Sequence, residues 1–156
     1  MNIFVVDEDP EIAAQSLCDK HVVKMILESA QMLCTCMPLI STDDKIVLYK
    51  PAFKNHPCTV WARTSQQNYS WLCVHAKALC SEYTRRYKKT HKSEAVIDFV
   101  IANKSPLPDI GLTPFAQAMP DQYKDSNTVI AYRNYYLGEK KRLAVWKYSA
   151  PPTWWV

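Results

Sequence analysis

The chain has 156 residues, 48% of them hydrophobic and 22% charged, with a formal net charge of +4 and only 2 glycines against 10 prolines. This size and apolar content sustain a self-sufficient core and exclude a disordered chain. Two glycines exclude a P-loop, a dinucleotide fingerprint and a meander of tight hairpins, so the expected fold is mainly α. More fully, the expectation is a single domain over 1–156, an orthogonal helical bundle carrying a long proline-rich loop.

Residues 3–6 (Ile-Phe-Val-Val) form a short apolar lead-in, extended or a buried strand. Asp9-Pro10 then marks a helix start, with Asp9 as cap and Pro10 in the first turn. The apolar pattern runs on to Met37, as one long helix or as two broken near Asp19, itself a candidate cap. Residues 38–55, with Pro38, Asp43-Asp44 and Pro51, read as a loop. Asn55-His56-Pro57 opens the next helix, and Ser65 caps another whose apolar face runs from Tyr69 through Leu72, Ala76, Leu79 and Tyr83 to Tyr87. Its last turn is cationic, as the helix dipole favours. Ser93-Glu94 starts a shorter helix. Residues 105–123 form a long loop around a short helical turn at Phe115-Ala116, and a loop of that length leans functional. Asn127 caps a final helix that Gly138 ends, and the indoles of the tail, Trp154 and Trp155, dock back on the body.

The six cysteines form no CxxC pair, and the four histidines no HxxxH or HxH pair. Reduced core thiols, no metal and no cofactor are therefore expected. Neither a signal peptide nor an apolar run of roughly 20 residues is present, which points to a cytoplasmic protein without membrane contact.

Four constellations can carry chemistry. His21, Lys24 and Glu28 share one helix stripe, preceded by Lys20, and suit an amine nucleophile with an acid–base partner; the bland alternative is a solvated Lys24–Glu28 pair. Lys54-Asn55-His56 stands at a helix start, where free N–H groups attract phosphate, or where His56 is simply a cap. Gln117, Asp121 and Tyr123 line the proline loop beside apolar residues, a set suited to reading a planar base, or a loop that is merely well packed. Arg85 and Arg86 among tyrosines, with Arg63, supply cations for a nucleic-acid backbone, although several of these tyrosines belong to the core face.

Over about the first 90 residues the chain resembles the pyrimidine-dimer DNA glycosylase/AP lyases. The likeness rests on the short apolar N-terminus, the ionisable residues near position 20, and Lys54-Asn55-His56-Pro57 opening a long helix that ends in basic and aromatic residues. The resemblance implies a small helical enzyme whose N-terminal α-amine attacks a sugar C1′, helped by a glutamate on the first helix. An α-amine suits this because its reference pKa of about 7.7–8.0 leaves a neutral fraction near pH 7. Asn2 is bulky, which leaves Met1 as the N-terminal residue and its amine as the nucleophile. Aligned with the family, the catalytic glutamate falls near Lys20 or His21, so Glu28 or Glu8 would have to substitute for it. The leading expectation is thus a DNA-acting enzyme with Met1 or Lys24 as nucleophile, His21 or Glu28 as acid–base group, and DNA or a nucleotide as partner. The alternative is a non-catalytic nucleotide- or nucleic-acid-sequestering protein of viral or bacterial origin. Neither reading fixes an oligomeric state.

Overall fold

The computed structural model describes residues 1–37 and 44–156. The described part of the chain is helical: α1 (Pro10–Ser16), α2 (Asp19–Cys36), α3 (Pro57–Thr64), α4 (Gln66–Tyr87), α5 (Glu94–Ala102) and α6 (Thr128–Glu139), with a single 3-10 turn at Asp121–Tyr123. Pro38 and Asp43 of the predicted 38–55 loop lie outside the described residues; Asp44 to His56 contain no helix. Among the described residues no helix is long and apolar enough to cross a membrane.

Local chemistry explains most boundaries. The Asp9 carboxylate accepts from the N–H groups of Glu11 and Ile12, with Pro10 in the first turn. Ser65 caps α4 through Asn68 N–H, and Asn127 caps α6 through Ile130 N–H. The predicted stretch to Met37 is two helices, separated by extended Leu17 and Cys18. Asp19 is not the cap there. It is the first residue of α2, and its carboxylate is taken by Arg86 Nη1 at 3.0 Å and Lys147 N–H at 2.7 Å.

Two further expectations are corrected. The turn inside the long loop falls at Asp121–Tyr123, not at Phe115-Ala116, which belongs to no helix and is tied to α6: Tyr132 Oη donates to the Ala116 carbonyl at 2.7 Å. Gly138 does not end α6 but lies inside it, because the Tyr123 ring crosses the helix so closely that a Cβ would stand 2.5 Å from Tyr123 Oη.

The 22-residue α4 is the axis of the bundle and packs against α1, α2, α3 and α5. One apolar cluster joins residues 3–6, α1 to α5, and Tyr132 and Tyr136 of α6. The tail folds back as anticipated: Trp154 and Trp155 meet the Tyr136 ring edge-on at 5.8 and 6.2 Å. All six cysteines are free thiols.

Candidate active site

The site begins with the first four residues. The Asn2 side chain is buried and works in both directions: its Oδ1 accepts from the N–H groups of Ile3 and Phe4, and its Nδ2 donates to the Ala118 carbonyl at 2.8 Å. Phe4 adopts a left-handed φ of 39°, closed by a Val6 N–H to Phe4 carbonyl bond of 2.7 Å, and stacks on His21 at 4.5 Å. These bonds fix the direction in which the chain starts. The Met1 side chain is 1% exposed although the residue as a whole is half-buried, so what Met1 presents to solvent is its main chain.

Opposite that amine stands Glu28, on the inner face of α2. Its Oε2 lies 3.3 Å from the Met1 nitrogen, and its Oε1 lies 3.4 Å from Lys24 Nζ. Oε2 is nevertheless buried and accepts no hydrogen bond from the described residues. The contact with the amine is close enough for charge attraction but lacks hydrogen-bond geometry, leaving an acceptor oxygen beside the amine with a lone pair unused. Lys24 is 62% exposed, a solvated cation at the rim. Of the two glutamates that could substitute for the family's acid, Glu28 is the one at the amine; Glu8 lies in the turn before α1, where its carbonyl accepts from Trp71 Nε1.

His56 stands at the start of α3. Its Nδ1 accepts from Cys58 N–H at 3.1 Å, so the cap reading of this residue is correct as local structure. Burial and then the positive N-terminal amine push its pKa below the ordinary histidine value, while Glu28 pulls the other way, which places all three groups within one electrostatic neighbourhood. Beneath them Cys58 is fully buried, and desolvation raises its thiol to about 12. It is an inert floor rather than a nucleophile.

The other anticipated residues divide. Lys20 and Asn55 are exposed, on α2 and beside His56. Lys54 is exposed, and its carbonyl accepts from Arg63 Nη1, so Arg63 braces the Lys-Asn-His-Pro segment. His21 is buried away from the amine, seven residues from Glu28 or about 10 Å along α2. Its Nδ1 is 2.6 Å from Tyr136 Oη. Burial, with Lys140, Lys24 and Lys20 adding, lowers its pKa to about 4, so it packs as a neutral ring. Arg86 cannot meet a phosphate: its side chain is fully buried and bonded to Glu82, Asp19 and the carbonyls of Leu17 and Gln15. Arg85 is half-exposed but forked onto Glu82 at 3.0 and 2.7 Å. Each of the three anticipated base-reading residues has a local partner. Gln117 clamps its own loop through Asp125, exposed Asp121 pairs with Lys124, and Tyr123 donates to Glu139.

Sequence reasoning read Asn2 only for its bulk, not as the anchor whose partner is 116 residues away, and Lys140 only as one of a basic run, whereas its ammonium lies 4.5 Å from the Tyr135 ring and adds to the charge around His21. A cavity of about 520 Å³ between α1, α4 and α5, lined by Gln15, Cys73 and Lys77 among others, shares no residue with the amine site.

A family model described as pyrimidine dimer DNA glycosylase matches residues 1–95. The chain belongs to the pyrimidine dimer DNA glycosylase family. Membership makes DNA the expected class of partner. The matched stretch carries Met1, Glu28 and His56 and ends as α5 begins. The proline loop and α6 lie beyond it, yet the Ala118 carbonyl and the Tyr132 hydroxyl hold the N-terminal segment and that loop together. No curated protein and no solved structure matches the chain.

Proposed function

We propose that this member of the family is a DNA glycosylase/AP lyase that uses the Met1 α-amine as nucleophile and Glu28 as its acid–base partner. The observation carrying the proposal is the buried Glu28 Oε2, 3.3 Å from the amine and without a hydrogen-bond donor. In this reading the amine nitrogen bonds to the sugar C1′ as the bond from C1′ to the base breaks, and the base leaves with a proton. The base takes its proton from solvent. Glu28 takes the proton released by the nitrogen and passes it to O4′ as the sugar ring opens to a protonated imine. Glu28, again a carboxylate, then takes a C2′ proton whose bonding pair expels the 3′ phosphate. A buried carboxylate suits both tasks, because its charge stabilises the cationic imine in a site of low effective dielectric. Lys20, Lys24, Lys54 and Asn55 meet the backbone phosphates around the opened nucleotide, and His56 orients the segment that carries two of them.

Borohydride trapping on a duplex with one abasic site tests the reading. The wild-type protein is expected to give a covalent adduct whose modified peptide begins at Met1. Glu28→Gln should lower the trapping rate by at least about 100-fold, and a Gly-Ser extension ahead of Met1 should abolish trapping. An adduct on Lys24 instead of Met1 would overturn the assignment of the nucleophile. Tight binding of abasic and ultraviolet-damaged duplexes with no adduct would overturn catalysis and leave the sequestering alternative.

A further inference from the structure

The segment Lys50-Pro51-Ala52-Phe53-Lys54-Asn55 leads into the active site and carries the most exposed aromatic side chain of the protein, Phe53 at 65%. The next most exposed aromatic, Tyr148, stands at 43%, and the other aromatics are buried or half-buried. Phe53 also adopts a φ of 51°, a left-handed conformation that a bulky aromatic residue rarely takes. The strain is held in place from both sides. Thr35 Oγ1 on α2 accepts from Ala52 N–H at 3.0 Å and contacts the Ala52 carbonyl at 3.2 Å, while the Phe53 carbonyl accepts from His56 N–H at 3.0 Å. A large apolar ring is therefore fixed in solvent on a braced, strained turn, against both the hydrophobic effect and backbone preference. Observed strain of this kind is found where a side chain must be presented to a ligand.

Its surroundings say which ligand. Lys50 and Lys54, three residues before and one residue after Phe53 in sequence, are exposed. His56, three residues on, is the edge of the amine site, and Thr35 lies seven residues from Glu28, about 10 Å along α2 or the height of about three stacked bases. A presented aromatic ring between two lysines matches the alternation of base stack and phosphate in a nucleic-acid strand.

We propose that Phe53 is a positioning residue that enters the base stack of duplex DNA beside the damaged nucleotide and fills the space this nucleotide vacates. The inference rests on the glycosylase/lyase reading and adds to it the element that distinguishes duplex from single strand. A wedge stabilises the opened state only where there is a stack to replace; a single strand needs no such help.

The test compares wild type, Phe53→Ala and Phe53→Trp in single-turnover borohydride trapping on an abasic duplex and on the same abasic strand alone. A 2-aminopurine next to the abasic site reports unstacking. Phe53→Ala is expected to slow trapping about tenfold on the duplex and to lose the 2-aminopurine signal, with the single-strand rate unchanged. Phe53→Trp should restore both. An equal loss on both substrates, or no loss on either, would overturn the wedge while leaving the amine chemistry standing. Absence of any wild-type adduct would overturn the glycosylase/lyase reading itself, and the wedge with it.

Discussion

At the scale of single residues, His56 has two duties that one substitution would confound. Its Nδ1 caps α3, and its ring shares an electrostatic neighbourhood with the Met1 amine and Glu28. Asparagine is the cap-preserving replacement, since its side-chain oxygen can take the same Cys58 N–H. His56→Asn is expected to unfold within about 0.5 kcal/mol of wild type in urea, whereas His56→Ala should lose about 1 kcal/mol. If the ring also orients the site, both variants trap abasic DNA at least about tenfold more slowly; a fully active His56→Asn would reduce His56 to a cap. The helix start at Asn55-His56-Pro57 was legible because caps and prolines act on their immediate neighbours. The choice between His21 and Glu28 was not. Both lie on one stripe of α2, and which of them meets the amine depends on how residues 1–4 cross that helix. That crossing is set by the bond from Asn2 to Ala118, 116 residues away, and by the left-handed turn at Phe4, neither of which leaves a periodic trace.

At the scale of elements, the C-terminal turn of α4 shows how a correct helix can carry a wrong inference. Tyr83 to Lys89 reads as a solvated basic end, and the dipole argument for it holds whether a given arginine faces water or core. Arg86 faces the core because Asp19, in the first turn of α2, supplies a second carboxylate beside Glu82 and because the break before α2 leaves the carbonyls of Leu17 and Gln15 to be satisfied. Burial alone would raise the Glu82 pKa, but the bonds from Arg85 and Arg86 outweigh it and hold it below the ordinary value. Arg86→Met removes the buried cation shared by two carboxylates and the donor of two carbonyls; Glu82 keeps Arg85 and Asp19 keeps the Lys147 N–H, and the loss is still expected to cost about 3–5 kcal/mol. For a domain of this size that is a fall of about 10 °C in Tm. Arg85→Met, at a half-exposed pair, should cost under about 1 kcal/mol. Calorimetry on the two variants checks the contrast, and equal effects would contradict the burial assigned to Arg86. The helices whose ends are set locally, at Asp9, Ser65 and Asn127, were readable. The segment 105–123 was readable as a loop but its course was not, because that is fixed by distant hydroxyls and rings, chiefly Tyr132 and the α6 surface at Gly138.

At the scale of the whole molecule, two buried histidines join parts of the chain far apart in sequence. His21 lies between Phe4 of the N-terminal segment and Tyr136 of α6. His75 of α4 stacks on Trp71, with its Nδ1 3.0 Å from the Pro10 carbonyl of α1, an acceptor that requires the proton on Nδ1. Burial lowers both from 6.5 to about 4, helped at His21 by the charges of Lys140, Lys24 and Lys20 and opposed at His75 by its bond to the Pro10 carbonyl. Above pH 6.5 both rings are neutral in the folded and unfolded chain alike, and neither affects stability. Between about pH 6.5 and about pH 4 the unfolded chain takes up protons that the folded chain refuses, so stability falls as the pH falls. Each refused proton contributes a slope of about 1.4 kcal/mol per pH unit, and across the window each histidine removes on the order of 3 kcal/mol. His56 and His91, also lowered by burial, act in the same direction. Urea unfolding from about pH 7 to about pH 4.5 should therefore show a slope near that of two protons. His75→Gln keeps an N–H for the Pro10 carbonyl and cannot titrate, so it is expected to reduce the slope by about one proton while leaving trapping of abasic DNA at neutral pH unchanged. A slope that His75→Gln leaves untouched would mean that acid opens the molecule elsewhere, at Glu82, whose carboxyl its arginine partners hold below the ordinary value and whose charge is lost as the pH falls.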